Sequence, residues 1–220
     1  CNGKPLLPDV ISLSLVKSEE LRYGENPHQQ AAIYGSFHTF FEKLHGKELS
    51  YNNIVDIQAA VELVEEFSEP TVVIIKHANP CGVGSAQSLA GAYERALSTD
   101  AKSAFGGIIA VNRTLDMPAA ALIDTVFTEV IVAPGYAEGV LDFLKKKKDR
   151  RLMKQTRPVH SEQHLIMKHV AGGLLLQTPD DVDAVPEQSR VVTRRAPSDE
   201  ERAAMTFGWR VAKHVRSNAI

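Results

Sequence analysis

Residues 71–85 read TVVIIKHANPCGVGS, an apolar run that passes abruptly into ionisable and turn-forming residues. Thr71 to Ile75 are β-branched throughout, the pattern of a strand buried on both faces. The run ends abruptly at Lys76 and His77, and Asn79-Pro80 and Gly82 then read as a turn. Two ionisable groups therefore stand side by side where a strand meets a loop, the place where open α/β sheets hold their ligands. A desolvated Lys beside a His favours the neutral imidazole, which can take a proton. A Lys-His pair at a strand end is most often a solvated edge. Here the apolar approach and the Pro/Gly segment imply a fixed backbone, which makes Lys76 and His77 a candidate catalytic pair.

Working outward, residues 10–16 alternate loosely and read as a strand entered through Pro8, followed by a loop at 21–28. A helix is predicted over 54–67, with Ile57, Val61 and Val64 on one face. After the central strand come a helix over 87–97 and a strand over 108–111 introduced by Gly106-Gly107. Met117-Pro118 opens a helix to 127, with Pro in the tolerated first turn. A strand over 129–133, a helix over 136–144 and strands over 151–153 and 174–177 follow. Ser198-Asp199-Glu200-Glu201 is a capping box that starts a last helix to about residue 215, with Phe207, Val211 and Val215 on one side. This alternation implies an α/β sheet with helices on both faces. Residues 180–187 alone read as loosely structured.

The composition narrows the class. A chain of 220 residues with 44% hydrophobic and 24% charged residues can bury a real core as one large domain or two small ones. A net charge of −2 argues against general nucleic-acid binding. Cys1 and Cys81 are the only cysteines, so there is no disulfide framework, and a cytoplasmic setting is expected. No apolar run approaches bilayer-spanning length. The chain starts without Met and stops at Ser217-Asn218-Ala219-Ile220, where a strand could be beginning, so it reads as a piece of a longer protein.

Other motifs carry less. His77-Ala78-Asn79-Pro80-Cys81 echoes the zinc-deaminase signature, but Asn79 stands where its Glu should be and Gly84 where its second Cys should be. His160 and His164 have helical i,i+4 spacing without an obvious third ligand and read as polar surface. Lys145 to Lys148, with Arg150, Arg151 and Lys154, read as a solvated basic face after a helix end. Cys81 reads as a small buried thiol rather than a nucleophile. No dinucleotide or Walker-type glycine loop is present. Ser103-Ala104-Phe105-Gly106-Gly107 would let backbone amides approach a ligand, and a structural bulge fits it equally well.

Seven stretches in order resemble one family. They are 21–28 (LRYGENPH), 49–56 (LSYNNIVD), 76–82 (KHANPCG), 103–111 (SAFGGIIAV), 129–134 (EVIVAP), 172–177 (GGLLLQ) and 211–220 (VAKHVRSNAI). Together they resemble the formyltransferase part of the bifunctional purine-biosynthesis enzyme that joins an aminoimidazole carboxamide ribonucleotide (AICAR) transformylase to an IMP cyclohydrolase. The resemblance implies a cytidine-deaminase-like three-layer α/β/α sandwich without zinc. It further implies transfer of a formyl group from 10-formyltetrahydrofolate, a co-substrate rather than a tightly bound cofactor, to the 5-amine of AICAR. On this resemblance His77 is the general base and Lys76 stabilises the transition state. Nucleotide-binding positions fall on Arg22, Tyr23, His77, Gly106, Glu129 and Asn218. Residues 1–196 would form a first deaminase-like lobe, and 197–220 a connecting helix leading to a second lobe. The 220 residues contain neither that lobe nor the cyclohydrolase domain that precedes this region in the family. The implied parent is a homodimer with no nucleic-acid or membrane partner, and this chain alone is expected to be inactive. The rival expectations are a non-catalytic nucleotide-binding or assembly module that needs a separate second half and, more weakly, a zinc deaminase.

Overall fold

The computed structural model describes residues 7–161, 165–180 and 189–216. Its centre is a six-stranded sheet in the order β3-β8-β7-β6-β4-β5. The strands are β3 (Phe41–His45), β4 (Thr71–Lys76), β5 (Asn79–Ser85), β6 (Gly107–Val111), β7 (Thr128–Ala133) and β8 (Arg151–Gln155). β6, β7 and β8 run parallel, whereas β4 is antiparallel to both of its neighbours and β3 is antiparallel to β8. Two further hairpins stand outside this sheet: β1 (Lys17–Leu21) with β2 (Ala31–Tyr34), and β9 (Ile166–Val170) with β10 (Gly173–Gln177).

Successive side chains of a strand point to opposite faces, so the apolar run in β4 must feed two cores. Val72 and Ile74 join Ile109, Ile131 and Leu152 under α3 (Leu89–Thr99), α4 (Met117–Asp124) and α5 (Val140–Leu144). Val73 and Ile75 join Ile108, Val130 and Met153 under α2 (Tyr51–Val64). Phe207 and Val211 of α6 (Asp199–Ala212) pack at the margin of this second core, with the Phe207 ring 5.1 Å from that of Phe67. The short α1 (Phe37–Phe40) leads into β3. The architecture is therefore an α/β sandwich with helices on both faces of one sheet.

Several expectations need correction. Residues 10–16 form no strand; Val10 and Val16 lie exposed, and pairing starts only at Lys17, where β2 supplies a partner. α2 begins at Tyr51 rather than 54, because Ser50 and Asn53 form a reciprocal capping box. The segment after His77 is not a loop. Asn79 to Ser85 return as edge strand β5, which tolerates Pro80 because an edge can spare a ladder amide. Gly82 serves close packing rather than a turn, since a Cβ there would run into the Ala96 carbonyl of α3. The helix expected to 127 stops at Asp124, and the one expected over 136–144 forms only from Val140, after Gly139 turns left-handed (φ 77°). The strand at 174–177 pairs in the β9–β10 hairpin and not in the central sheet. α6 is capped as predicted by Ser198 and Glu201, but ends before Val215. Most of the loosely structured stretch, 181–187, lies outside the described residues.

The end of α6 is fastened to the end of α2. Glu66 accepts from Lys213 Nζ at 2.7 Å and pairs with His214 Nε2 at 2.9 Å. Burial alone would raise the Glu66 carboxyl, but the His214 and Lys213 hydrogen bonds outweigh it and hold it at about 2. A folded-state pKa below the ordinary 4.5 means stabilisation that is complete above pH 4.5 and lost as pH falls toward 2. With this pair half-buried, and solvent screening allowed for, Glu66→Gln is expected to cost about 1–2 kcal/mol at pH 7. Melting curves across pH check this: variant and wild type should differ at neutral pH and converge near pH 2.

Candidate functional site

β4 and β5 are joined by a turn made only of His77 and Ala78, with Lys76 paired to Asn79 across its base. Both turn residues have positive φ, 54° for His77 and 59° for Ala78. Hairpins of this hand usually use Asn-Gly, because a Cβ is disfavoured in left-handed backbone. Holding a residue in such a sparsely populated region costs about 1–3 kcal/mol, and the conformation persists only where its surroundings dictate it. Here Ala78 is buried against α2 and its N–H donates to Asp56 Oδ1 at 2.7 Å. Asn79 Oδ1 accepts the Arg216 N–H at 3.3 Å, which ties the chain beyond α6 to the base of the turn.

The side chains of the pair diverge in environment. Lys76 is half-buried and its Nζ donates to the Phe105 carbonyl at 2.5 Å. His77 is exposed, and among the described residues its imidazole makes no hydrogen bond. The expectation of a desolvated Lys beside the His is therefore corrected: Lys76 is only half-buried and His77 is exposed, so the pair is held by its backbone rather than by burial. Its place also differs from the expected ligand crevice at strand carboxyl ends. Because β4 is antiparallel to β6, its carboxyl end lies beside the amino ends of β6, β7 and β8.

Gly106 is left-handed (φ 72°) and donates its N–H to the Phe127 carbonyl at 2.7 Å. A Cβ there would stand 3.6 Å from the Phe127 ring and 3.9 Å from Lys76 Nζ, so Gly106 lies directly beside the ammonium. The exposed rings of Phe105 and Phe127 flank it, 5.2 Å apart. Glu129, near the start of β7, accepts from Asn53 Nδ2 at 3.2 Å and has the Arg151 guanidinium 3.8 Å away. Arg151 thus leaves the expected solvated basic run. So does Arg150, which is buried and bonded to Asp124 Oδ1 at 2.6 Å. Burial would raise the Asp124 carboxyl, yet Arg150 and Lys147 bring it below its usual range.

Arg22 and Tyr23 lie in the loop after β1, with the Arg22 guanidinium 5.5 Å from the Tyr23 ring centre. The loop is braced by Gly24 N–H to Gln29 O at 2.9 Å and is tied to α2 by Asn52 Nδ2 to Glu25 O at 3.3 Å. The first turns of α2 therefore connect the parts: Asn52 reaches the Arg22 loop, Asn53 reaches Glu129, and Asp56 reaches the His77 turn. Sequence reasoning gave these three residues no role. The available signal was a polar cluster, poor in helix propensity, at the start of a helix whose other face is apolar. Burial raises the Asp56 carboxyl, opposed by the Ala78 and His77 backbones and by the charge interaction with His77.

Lys76, His77, Gly106 and Glu129 thus lie at one end of the neighbouring strands β4, β6 and β7, and the Arg22-Tyr23 loop is linked to them through α2. Asn218 lies outside the described residues, as does His164. His160 sits in a short 3-10 turn with its N–H on Glu65, and the described residues contain no cluster of His, Cys, Asp or Glu suited to a metal. Cys81 is half-buried, its Sγ directed at the Ile74 carbonyl, and burial pushes its thiol up.

Over 217 aligned residues the chain is 54% identical to the "Bifunctional purine biosynthesis protein PurH" of Chloroflexus aurantiacus, an alignment that covers 97% of this chain and 42% of that protein. The PurH proteins of Chlorobaculum parvum and of Chlorobium phaeobacteroides (strain DSM 266) are 49% and 50% identical, each covering 96% of this chain and 42% of the relative. The chain thus spans about two fifths of the length of these relatives. The sequence model of the AICARFT/IMPCHase bienzyme matches residues 2–220, and the chain belongs to that family.

Proposed function

We propose that the protein transfers a formyl group from 10-formyltetrahydrofolate to the 5-amino group of AICAR in purine biosynthesis. The observation that carries this reading is the meeting of the Lys76 ammonium with the Phe105-Gly106 backbone, beside an exposed His77 fixed on a two-residue turn. The relatives' name, a bifunctional purine-biosynthesis protein, supports the pathway. In the step, the amine nitrogen attacks the formyl carbon and the carbonyl electrons move onto its oxygen. His77 takes the proton from the amine. Lys76 has three N–H donors and among the described residues uses one on Phe105, which leaves donors for the growing oxyanion. The bond from the formyl carbon to N10 of the folate then breaks, and a proton on that nitrogen releases tetrahydrofolate.

Arg22, Tyr23, Gly106, Glu129 and Asn218 complete the nucleotide site in this reading, with Arg22 a charge-assisted donor to an anionic group. Residues 1–196 are a first lobe, and 197–220 connect to a second lobe that completes the folate site, in a homodimeric parent working in the cytoplasm. No helix of the described residues is long and apolar enough to cross a membrane. No tightly bound cofactor enters the scheme. The test is to incubate the full-length protein with AICAR and 10-formyltetrahydrofolate and follow tetrahydrofolate and the formylated nucleotide. Equal appearance of both is expected. AICAR binding without either product would instead identify a nucleotide-binding module.

A further inference from the structure

The His77-Ala78 turn poses a physical question that the pair chemistry does not answer. Two adjacent residues with side chains occupy left-handed backbone, yet the imidazole that must be aimed makes no hydrogen bond among the described residues. Something other than the ring has to fix its direction. Asp56 is the side chain placed to do so. It projects from α2, whose neighbouring Ile57, Ala60 and Val61 are fully buried, and its Oδ1 accepts the Ala78 N–H at 2.7 Å. Ala78 itself is only 8% exposed, so the turn rests on the helix that carries the carboxylate.

We propose that Asp56 is a positioning residue for His77: its carboxylate, held on a rigid helix, clamps the left-handed turn through the backbone and so fixes the direction of the imidazole. This rests on reading His77 as the proton acceptor in formyl transfer. The contact is made to a backbone amide and not to the ring, so Asp56 acts through the turn rather than on the transferred proton. Its oxygen is what matters. The pull of the Ala78 and His77 backbones on its ionisation, against burial, agrees with a carboxylate directed at the turn. A chain without the clamp is free to let Ala78 leave left-handed backbone, and His77 swings with it.

The experiment compares Asp56→Ala, Asp56→Asn and Asp56→Ala/Ala78→Gly in the full-length protein, reading kcat, KM for AICAR and amide exchange at Ala78. Asp56→Ala is expected to lower kcat about 30- to 100-fold, with KM for AICAR within about threefold, the pattern of a misplaced catalytic group. Asp56→Asn keeps an oxygen for the amide and is expected to hold kcat within about fivefold of wild type. Ala78→Gly in the Asp56→Ala background removes the Cβ penalty and is expected to restore about fivefold or more. The Ala78 amide should be protected in wild type and Asp56→Asn and exchange freely in Asp56→Ala. Asp56→Asn as impaired as Asp56→Ala, or Asp56→Ala at wild-type kcat, overturns the proposal. So does unchanged Ala78 protection in Asp56→Ala. Exchange also separates the two claims: absence of formyl transfer in wild type defeats the activity reading, whereas the amide pattern reports on the clamp alone.

Discussion

Replacing His77 with Ala in the full-length protein is expected to lower kcat for formyl transfer by about 10²–10⁴-fold, the usual contribution of a positioned general base. In the proposed reaction the AICAR amine is a poor nucleophile because its ring withdraws the lone pair, so a base that takes its proton during attack is expected to lower the barrier. His77 stands exposed at the tip of the β4–β5 hairpin, where the ring can meet a ligand without the sheet moving. Ala introduces no new steric demand at a left-handed position that already carries a Cβ, so folding should be nearly unchanged. The measurement is kcat with both substrates saturating, alongside circular dichroism and the melting temperature. Near-normal turnover in a folded variant would remove His77 from the chemistry.

Replacing Gly82 with Ala is expected to destabilise the fold by about 3 kcal/mol, at the upper end for overpacking. The obstacle is the Ala96 carbonyl of α3, a backbone group that cannot rotate away as a flexible side chain can. Relief requires β5 and α3 to separate, which opens the first core around Ala92, Tyr93 and Ala96. Gly208 offers the contrasting case. It lies within α6, and a Cβ there meets nothing within 4 Å, so Gly208→Ala is expected to stabilise by about 0.5–1 kcal/mol through helix propensity. Urea unfolding of both variants gives the test. A Gly82→Ala protein as stable as wild type would mean that α3 does not approach the strand this closely.

What the sequence made legible follows from where its signals are local. The β-branched run of β4 announced a buried strand, and the two cores formed by its alternating side chains are the consequence. Ser198 with Glu201 announced the start of α6, because a capping box is complete within four residues. The edges were harder. Pro80, Gly82 and Gly84 look like turn formers, but their use depends on tertiary position: an edge strand that needs no inward amide, packed tightly under a helix. β1, β2, β3 and β9 gave no clear apolar period, because all four are edge or hairpin strands with mostly exposed or half-buried residues.

The site divides the same way. Lys76 and His77 were visible as an ionisable pair at the end of an apolar run, and Gly106 as a glycine next to a strand. Their meeting was not visible, since the contact from Lys76 to Phe105 spans 29 positions and depends on the antiparallel pairing of β4 with β6. Asn52, Asn53 and Asp56 escaped notice for a related reason. Each acts on a different distant segment, so the polar cluster at the start of α2 could mark the residues but not show which segments they reach. The supposed dryness of the pair failed because full strand burial stops at Ile75 and the exposed His77 projects past it.

A structure of the full-length protein with AICAR bound would decide whether His77 faces the reacting amine. The nucleotide's exocyclic amine should lie within about 3.2 Å of the His77 imidazole, or one water away, with Lys76 Nζ and Gly106 lining the same space. AICAR seated at another edge of the sheet, with the His77 turn empty and its ring facing solvent, would contradict it.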